Sequence, residues 1–187
     1  MVAFTLINGL AALVYLNSLH VPFYFDDLLH IVSNPSVNLN ELSLAGLIKA
    51  LTYNRPVTNL SFAMNHYIGG LNTFGYHLVN LALHGLTGWT VYLFIVVVLG
   101  RASAISALMG SLLWVAHPVH TESVTYIIQR ATVLSTLFFM MTVLLYTQIR
   151  FWIGWKRLIL YAGLLIFSAL ALESKEIAAP VPVLLVL

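Results

Sequence analysis

Apolar runs of bilayer-crossing length recur along the chain, and they constrain its fold more than any other feature. They lie near residues 2–19, 76–99, 103–117, 131–149 and 158–172, with a sixth beginning near 178. A crossing helix needs roughly 20 apolar residues, so the third and fifth runs borrow aromatic or snorkelling basic residues at their ends. Composition agrees: 60% of the residues are hydrophobic and 7% are charged. A spanning chain must satisfy its backbone hydrogen bonds within each segment. The expected fold is therefore all-α, a polytopic transmembrane helical bundle of about five complete spans plus a truncated sixth. The first run has no basic residues before it and no small-residue cleavage site ahead of Pro22, so it reads as a retained span. Val181–Leu187 is apolar to its last residue and reads as a chain cut within a span.

Charge placement suggests an orientation. Alternating spans put Arg101, Arg150, Lys156 and Arg157 on one side, crowded into two very short loops, as cytoplasmic bases are. Lys49, Arg55, Arg130 and Lys175 fall on the other side, together with all six acids. The net charge of +2 leaves no polybasic footprint for nucleic acid. With no cysteine, the chain has no thiolate metal site and no cysteine nucleophile.

Residues 20–74 form the longest connection, on the acid-bearing side. Asn34-Pro35 signals a turn, and Asn38 with Glu41 resembles a capping box. Leu44, Leu47, Ile48 and Leu51 then recur at helical spacing, a stripe suited to a membrane surface. Pro56 can open a second short helix that Gly69-Gly70 ends. Short amphipathic helices in this first non-cytoplasmic loop are expected.

Three clusters could carry chemistry. Asp26 and Asp27 stand side by side at the end of the first run, where each is costly to ionise near low dielectric and each raises the cost of the other. His117-Pro118-Val119-His120-Thr121-Glu122, followed by Arg130, offers imidazoles, a carboxylate and a guanidinium for a metal or a phosphate. It does not have zinc-protease spacing. The bland alternative is a pair of interfacial histidines bonded to backbone. Glu173-Ser174-Lys175-Glu176 is ordinarily just a solvated loop, and Arg55 is an anion contact or a surface residue. Lone histidines such as His84 are more often satisfied core residues than ligands. Asn59-Leu60-Ser61 fits a glycosylation sequon by pattern.

Taken in order, Phe25-Asp26-Asp27, Arg55-Pro56, His117-Pro118-Val119-His120-Thr121-Glu122 with Arg130, and Ser174-Lys175-Glu176 resemble the membrane half of a known family. It is the transmembrane-and-tetratricopeptide-repeat family of O-mannosyltransferases, with its bacterial relatives, among the polytopic C-type glycosyltransferases. The resemblance covers about residues 20–180, and the His-Pro-x-His-Thr-Glu string is its specific element. It implies that residues 1–187 are the N-terminal part of a glycosyltransferase membrane domain, without the repeats that follow it in the family. The implied reaction moves a mannose-like sugar from a polyprenyl- or dolichyl-phosphate donor to a protein Ser/Thr or glycan hydroxyl, with inversion, on the non-cytoplasmic face. Asp26 or Asp27 would be the base. Arg55, His117, His120, Glu122, Arg130, Lys175 and Glu176 would form the substrate and phosphate side. The resemblance leaves a divalent ion open, because the superfamily has metal-dependent and metal-independent members. The implied membrane is bacterial inner or endoplasmic reticulum. Two other readings remain: a polytopic transporter, which expects ionisable groups near mid-span, and a non-catalytic membrane scaffold for a repeat domain.

Overall fold

The computed structural model describes residues 1–52 and 54–180. Among these residues the chain folds as eight α-helices and contains no strand. They are α1 (Val2–Tyr15), α2 (Leu44–Leu51), α3 (Pro56–Gly69), α4 (Thr73–Leu99), α5 (Ala104–Val115), α6 (Thr121–Thr125), α7 (Arg130–Ile149) and α8 (Trp155–Ser174). Helix α7 packs on α4 and α8, while α4 also carries α1 and α5. The all-α bundle is the expected one.

The spans differ in length from the expectation. Three segments, Thr73–Leu99, Ile127–Ile149 and Trp155–Ser174, are long and apolar enough to cross a membrane. Arg101–Val115 and Pro118–Thr125 make a fourth only as a pair bent by 48°. The bend follows from Pro118, which holds His117 in an extended conformation (φ −68°, ψ 129°) and breaks the helix there. The first run forms α1 and one 3₁₀ turn, Val2–Ser18, a shorter apolar helix of about 27 Å at ordinary helical rises. The expected sixth span lies outside the described residues, apart from a 3₁₀ turn at Glu176–Ala178.

In the long connection, α3 starts at Pro56 and stops at Gly70 (φ +58°), as expected. Helix α2 is capped differently. Its N-cap is Ser43, whose hydroxyl accepts from Gly46 N–H at 3.2 Å, while Asn38 is drawn to the Val32 carbonyl at 2.9 Å. Three residues separate a cap from the N–H it serves, so Asn38 stands too far ahead of Leu44. Leu44, Ile48 and Leu51 lie exposed along α2, while Ala50 is buried and Leu47 packs beside it.

Close helix approach depends on two glycines of α4. A Cβ at Gly85 would collide with the Asn8 side chain of α1, and one at Gly88 with Val115 of α5. Small residues allow such approach where apolar burial between helices contributes little.

Arg130 locks the acid-bearing end of the bundle. It is 0% exposed, and no carboxylate pairs with it among the described residues. Instead Nε donates to Asn80 Oδ1 at 2.8 Å, one terminal nitrogen to the Tyr76 carbonyl at 2.9 Å, and the other to the Ser61 carbonyl at 3.2 Å. The guanidinium also lies 4.5 Å from the Phe62 ring centroid and 5.5 Å from that of Tyr76. One planar fork thereby ties α3, α4 and α7, with cation–π contact offsetting part of the desolvation. Truncating it strips the buried Asn80 amide oxygen of its donor, at about 1–3 kcal/mol, and empties the space against Phe62 and Tyr76. Arg130→Ala should lower stability to unfolding in lipid or detergent by about 3 kcal/mol or more, and Arg130→Lys by less. An unchanged midpoint in Arg130→Ala would contradict the lock.

Candidate active site

The two adjacent aspartates have different surroundings. Asp27 is 0% exposed, its Oδ1 accepting from Ile128 N–H at 2.8 Å and its Oδ2 from Tyr24 N–H at 3.3 Å. It bolts the first loop to the segment that opens α7. Burial lifts its carboxyl above the ordinary carboxylate range; the amides of Ile128 and Tyr24 oppose the rise and the Asp26 charge adds to it. Asp26 is only half-buried, and its backbone N–H donates to the Tyr126 hydroxyl at 2.9 Å.

The Asp26 side of the pair faces a cavity of about 390 Å³, lined also by His30, Asn34, Arg55, Asn59 and Glu176. Arg55 makes a two-point contact with Glu176, Nε to Oε1 at 3.3 Å and the terminal nitrogen to Oε2 at 3.0 Å. The pair joins the start of α3 to the end of α8. It is 37% and 71% exposed, so its worth to stability is small, although Arg55 does lower the Glu176 pKa through its hydrogen bond. Two non-glycine residues have left-handed backbone among the described residues, Phe25 (φ +49°) and Arg55 (φ +60°). One immediately precedes Asp26 and the other lines the cavity. Strain of about 1–3 kcal/mol at such positions gathers where function fixes a geometry.

The other expected residues divide among three places. Arg130 is enclosed by its own acceptors. His117 is exposed, its Nδ1 accepting from Val119 N–H at 3.2 Å. His120 lines a separate cavity of about 210 Å³ with His84, Trp114, Thr132 and Thr136, its ring centroid 4.3 Å from that of Trp114. Glu122 accepts from Gln129 at 3.3 Å, while the Gln129 amide oxygen accepts from Lys175 Nζ at 3.1 Å. Lys175 also reaches the Thr132 hydroxyl at 2.7 Å. Burial and the nearby Arg55 push its pKa down. The Lys175-Glu176 step thus sends a cation towards Thr132, which lines the His120 cavity, and a carboxylate into the lining of the Asp26 cavity. Among the described residues no three His, Asp or Glu side chains converge as metal ligands. His84 is a satisfied core residue, with Nε2 3.0 Å from the Val115 carbonyl.

Sequence reasoning did not single out His30, Tyr126 or Gln129, and it read Asn34 only as part of a turn. No motif marks any of them as a site residue; only the chain's return from α6 to the first loop brings them together.

The protein O-mannosyl-transferase TMTC2 of Homo sapiens is 35% identical to this chain over 161 residues, 79% of the chain and 19% of the relative. Tmtc1 of Drosophila melanogaster is 32% identical over 178 residues, 89% of the chain and 20% of the relative. TMTC3 of Homo sapiens is 34% identical over 156 residues, 77% of the chain and 17% of the relative. This chain belongs to the TMTC family of O-mannosyltransferases. It spans about a fifth of the length of these curated relatives. No family model and no solved structure matches it.

In this family member the Asp27 clamp makes a prediction. Asp27→Asn turns one acceptor into a donor facing a backbone N–H, and should destabilise the fold by about 1–3 kcal/mol. Asp26→Asn should leave stability unchanged. Because the folded Asp27 pKa is the higher one, the folded state takes up this proton more readily. Its contribution is complete below the unfolded pKa and is lost as pH rises through the folded one. Unfolding measured across the carboxylate range should therefore show the gap between wild type and Asp27→Asn narrowing as pH rises. A widening gap would contradict the assignment.

Proposed function

We propose that this chain is the membrane part of a glycosyltransferase that moves a mannose-like sugar from a polyprenyl-phosphate donor to a protein Ser/Thr hydroxyl. Asp26 is the general base. It takes the hydroxyl proton as the acceptor oxygen attacks the anomeric carbon from the face opposite the phosphate. The carbon–oxygen bond to the phosphate breaks, its electrons leave with the phosphate, and the configuration inverts. Arg55 meets the developing phosphate charge with preorganised N–H donors while Glu176 holds its plane.

The observation that carries this reading is that Asp26 and Arg55 line one cavity, a carboxylate and a two-point cation across the same space. Asp27, with both oxygens engaged by backbone, suits a positioning role. Arg130 has the same character: enclosed by neutral oxygens, it fixes the segment to which Asp27 is bolted.

The test uses the full-length protein. Asp26→Asn should lower transfer of mannose from a polyprenyl-phosphate donor by about 10²–10⁴, the usual worth of general-base assistance, with melting unchanged. Full transfer by that variant would remove Asp26 from the chemistry. Arg55→Ala should slow transfer and weaken donor binding, whereas Arg55→Lys, which keeps charge but not the planar fork, should recover only part.

A further inference from the structure

A third cavity, of about 410 Å³, lies between the end of α1 and α6 and has no part in the reading above. Its polar and aromatic lining comes from Tyr15, Asn17, Ser18, Tyr24, Thr121 and Thr125, and none of its lining side chains is charged. That sets it apart from the cavity of Asp26, Arg55 and Glu176, and makes it a poor place for a phosphate.

Two features of its lining bear on what it could hold. Tyr15 borders it from a position only 3% exposed, and its buried hydroxyl finds no hydrogen-bond partner among the described residues. Thr121 is near enough to act on it but outside hydrogen-bond geometry. A buried hydroxyl left unpaired is costly, so a ligand or water that satisfies it is favoured. The second observation is Tyr24, 44% exposed and stacked on Tyr126 with ring centroids 4.5 Å apart and planes 28° apart. Tyr126 holds one side of the ring and leaves the rest to line the cavity. A rigid aromatic surface beside uncharged hydroxyl and amide groups suits a neutral ligand with hydroxyls on its rim and C–H bonds on its face. Such a ligand is a pyranose ring. The volume lies within the roughly 300–1,000 Å³ range of small-ligand sites.

The platform is coupled to the aspartate pair. Tyr24 N–H donates to Asp27, and the Tyr126 hydroxyl accepts from Asp26 N–H. We propose that this cavity is a saccharide subsite beside the Asp26 cavity, taking an uncharged hexopyranoside stacked on Tyr24 and hydrogen-bonded by Tyr15 and Asn17. The choice of a mannoside as its ligand rests on the transferase reading; the cavity itself does not.

Binding of methyl α-D-mannopyranoside to the full-length protein in lipid nanodiscs free of sugar detergents, followed by saturation-transfer NMR, tests the proposal. Wild type should bind. Tyr24→Ala should abolish the signal, and Tyr15→Phe and the exposed Asn17→Ala should each weaken binding about fivefold, the worth of one hydrogen bond. Asp26→Asn should bind as wild type does. Asn17→Ala decides the matter if a tyrosine variant fails to fold. No mannoside binding by wild type, or binding unchanged in Tyr24→Ala or, where that variant does not fold, in Asn17→Ala, would overturn the proposal. Normal transfer by Asp26→Asn alongside Tyr24-dependent mannoside binding would instead sink the base assignment and leave this subsite standing.

Discussion

Everything at the acid-bearing end of this bundle depends on one buried guanidinium. Arg130 sits where water is excluded, yet it has no carboxylate partner among the described residues. A buried charge without a counter-ion is tolerated only when every donor is used. Its partners come from Asn80, Tyr76 and Ser61, which means three helices must meet at one point. That convergence sets where α7 begins. The N–H of Ile128, two residues earlier, then becomes the anchor for Asp27.

The consequence is a division of labour between side chains that look equivalent in sequence. Asp27 spends both oxygens on backbone amides and is sealed, while Asp26 remains open to a cavity with Arg55. The left-handed backbone at Phe25 turns the chain just before the pair. Lys175 and Glu176 divide in the same way, one towards Thr132 and the other towards Arg55. Neighbouring side chains leave the backbone in different directions, and here that geometry gives each of two cavities its own charge.

Much of this was legible in the chain before its structure. Apolar periodicity marks α4, α7 and α8, because spanning helices leave long uninterrupted runs. Pro56 and Gly70 bound α3, because each acts through its own backbone preference. The Asp26-Asp27 pair stands out wherever charge is scarce. Pattern cannot say which aspartate is sealed, since that depends on Ile128, 101 positions away. Nor can it separate Arg130, a helix lock, from Arg55, a cavity cation; both are bases near a proline or a helix start. Capping also misled at Asn38, where Ser43 stands closer to the helix and wins. The His117–Glu122 string carries the family resemblance, and although Pro118 breaks the helix between them its two imidazoles stay neighbours, ring centroids 6.3 Å apart.

The central claim is that Asp26 and Arg55 face the reacting bond while Asp27 and Arg130 hold them in place. Its most direct test is a cryo-EM structure of the full-length protein with a polyprenyl-phospho-mannose donor bound. The account predicts the anomeric carbon beside Asp26, the phosphate against Arg55, and Asp27 still bonded to Ile128. A donor phosphate seated at His117 and His120, with Asp26 remote from the sugar, would contradict it.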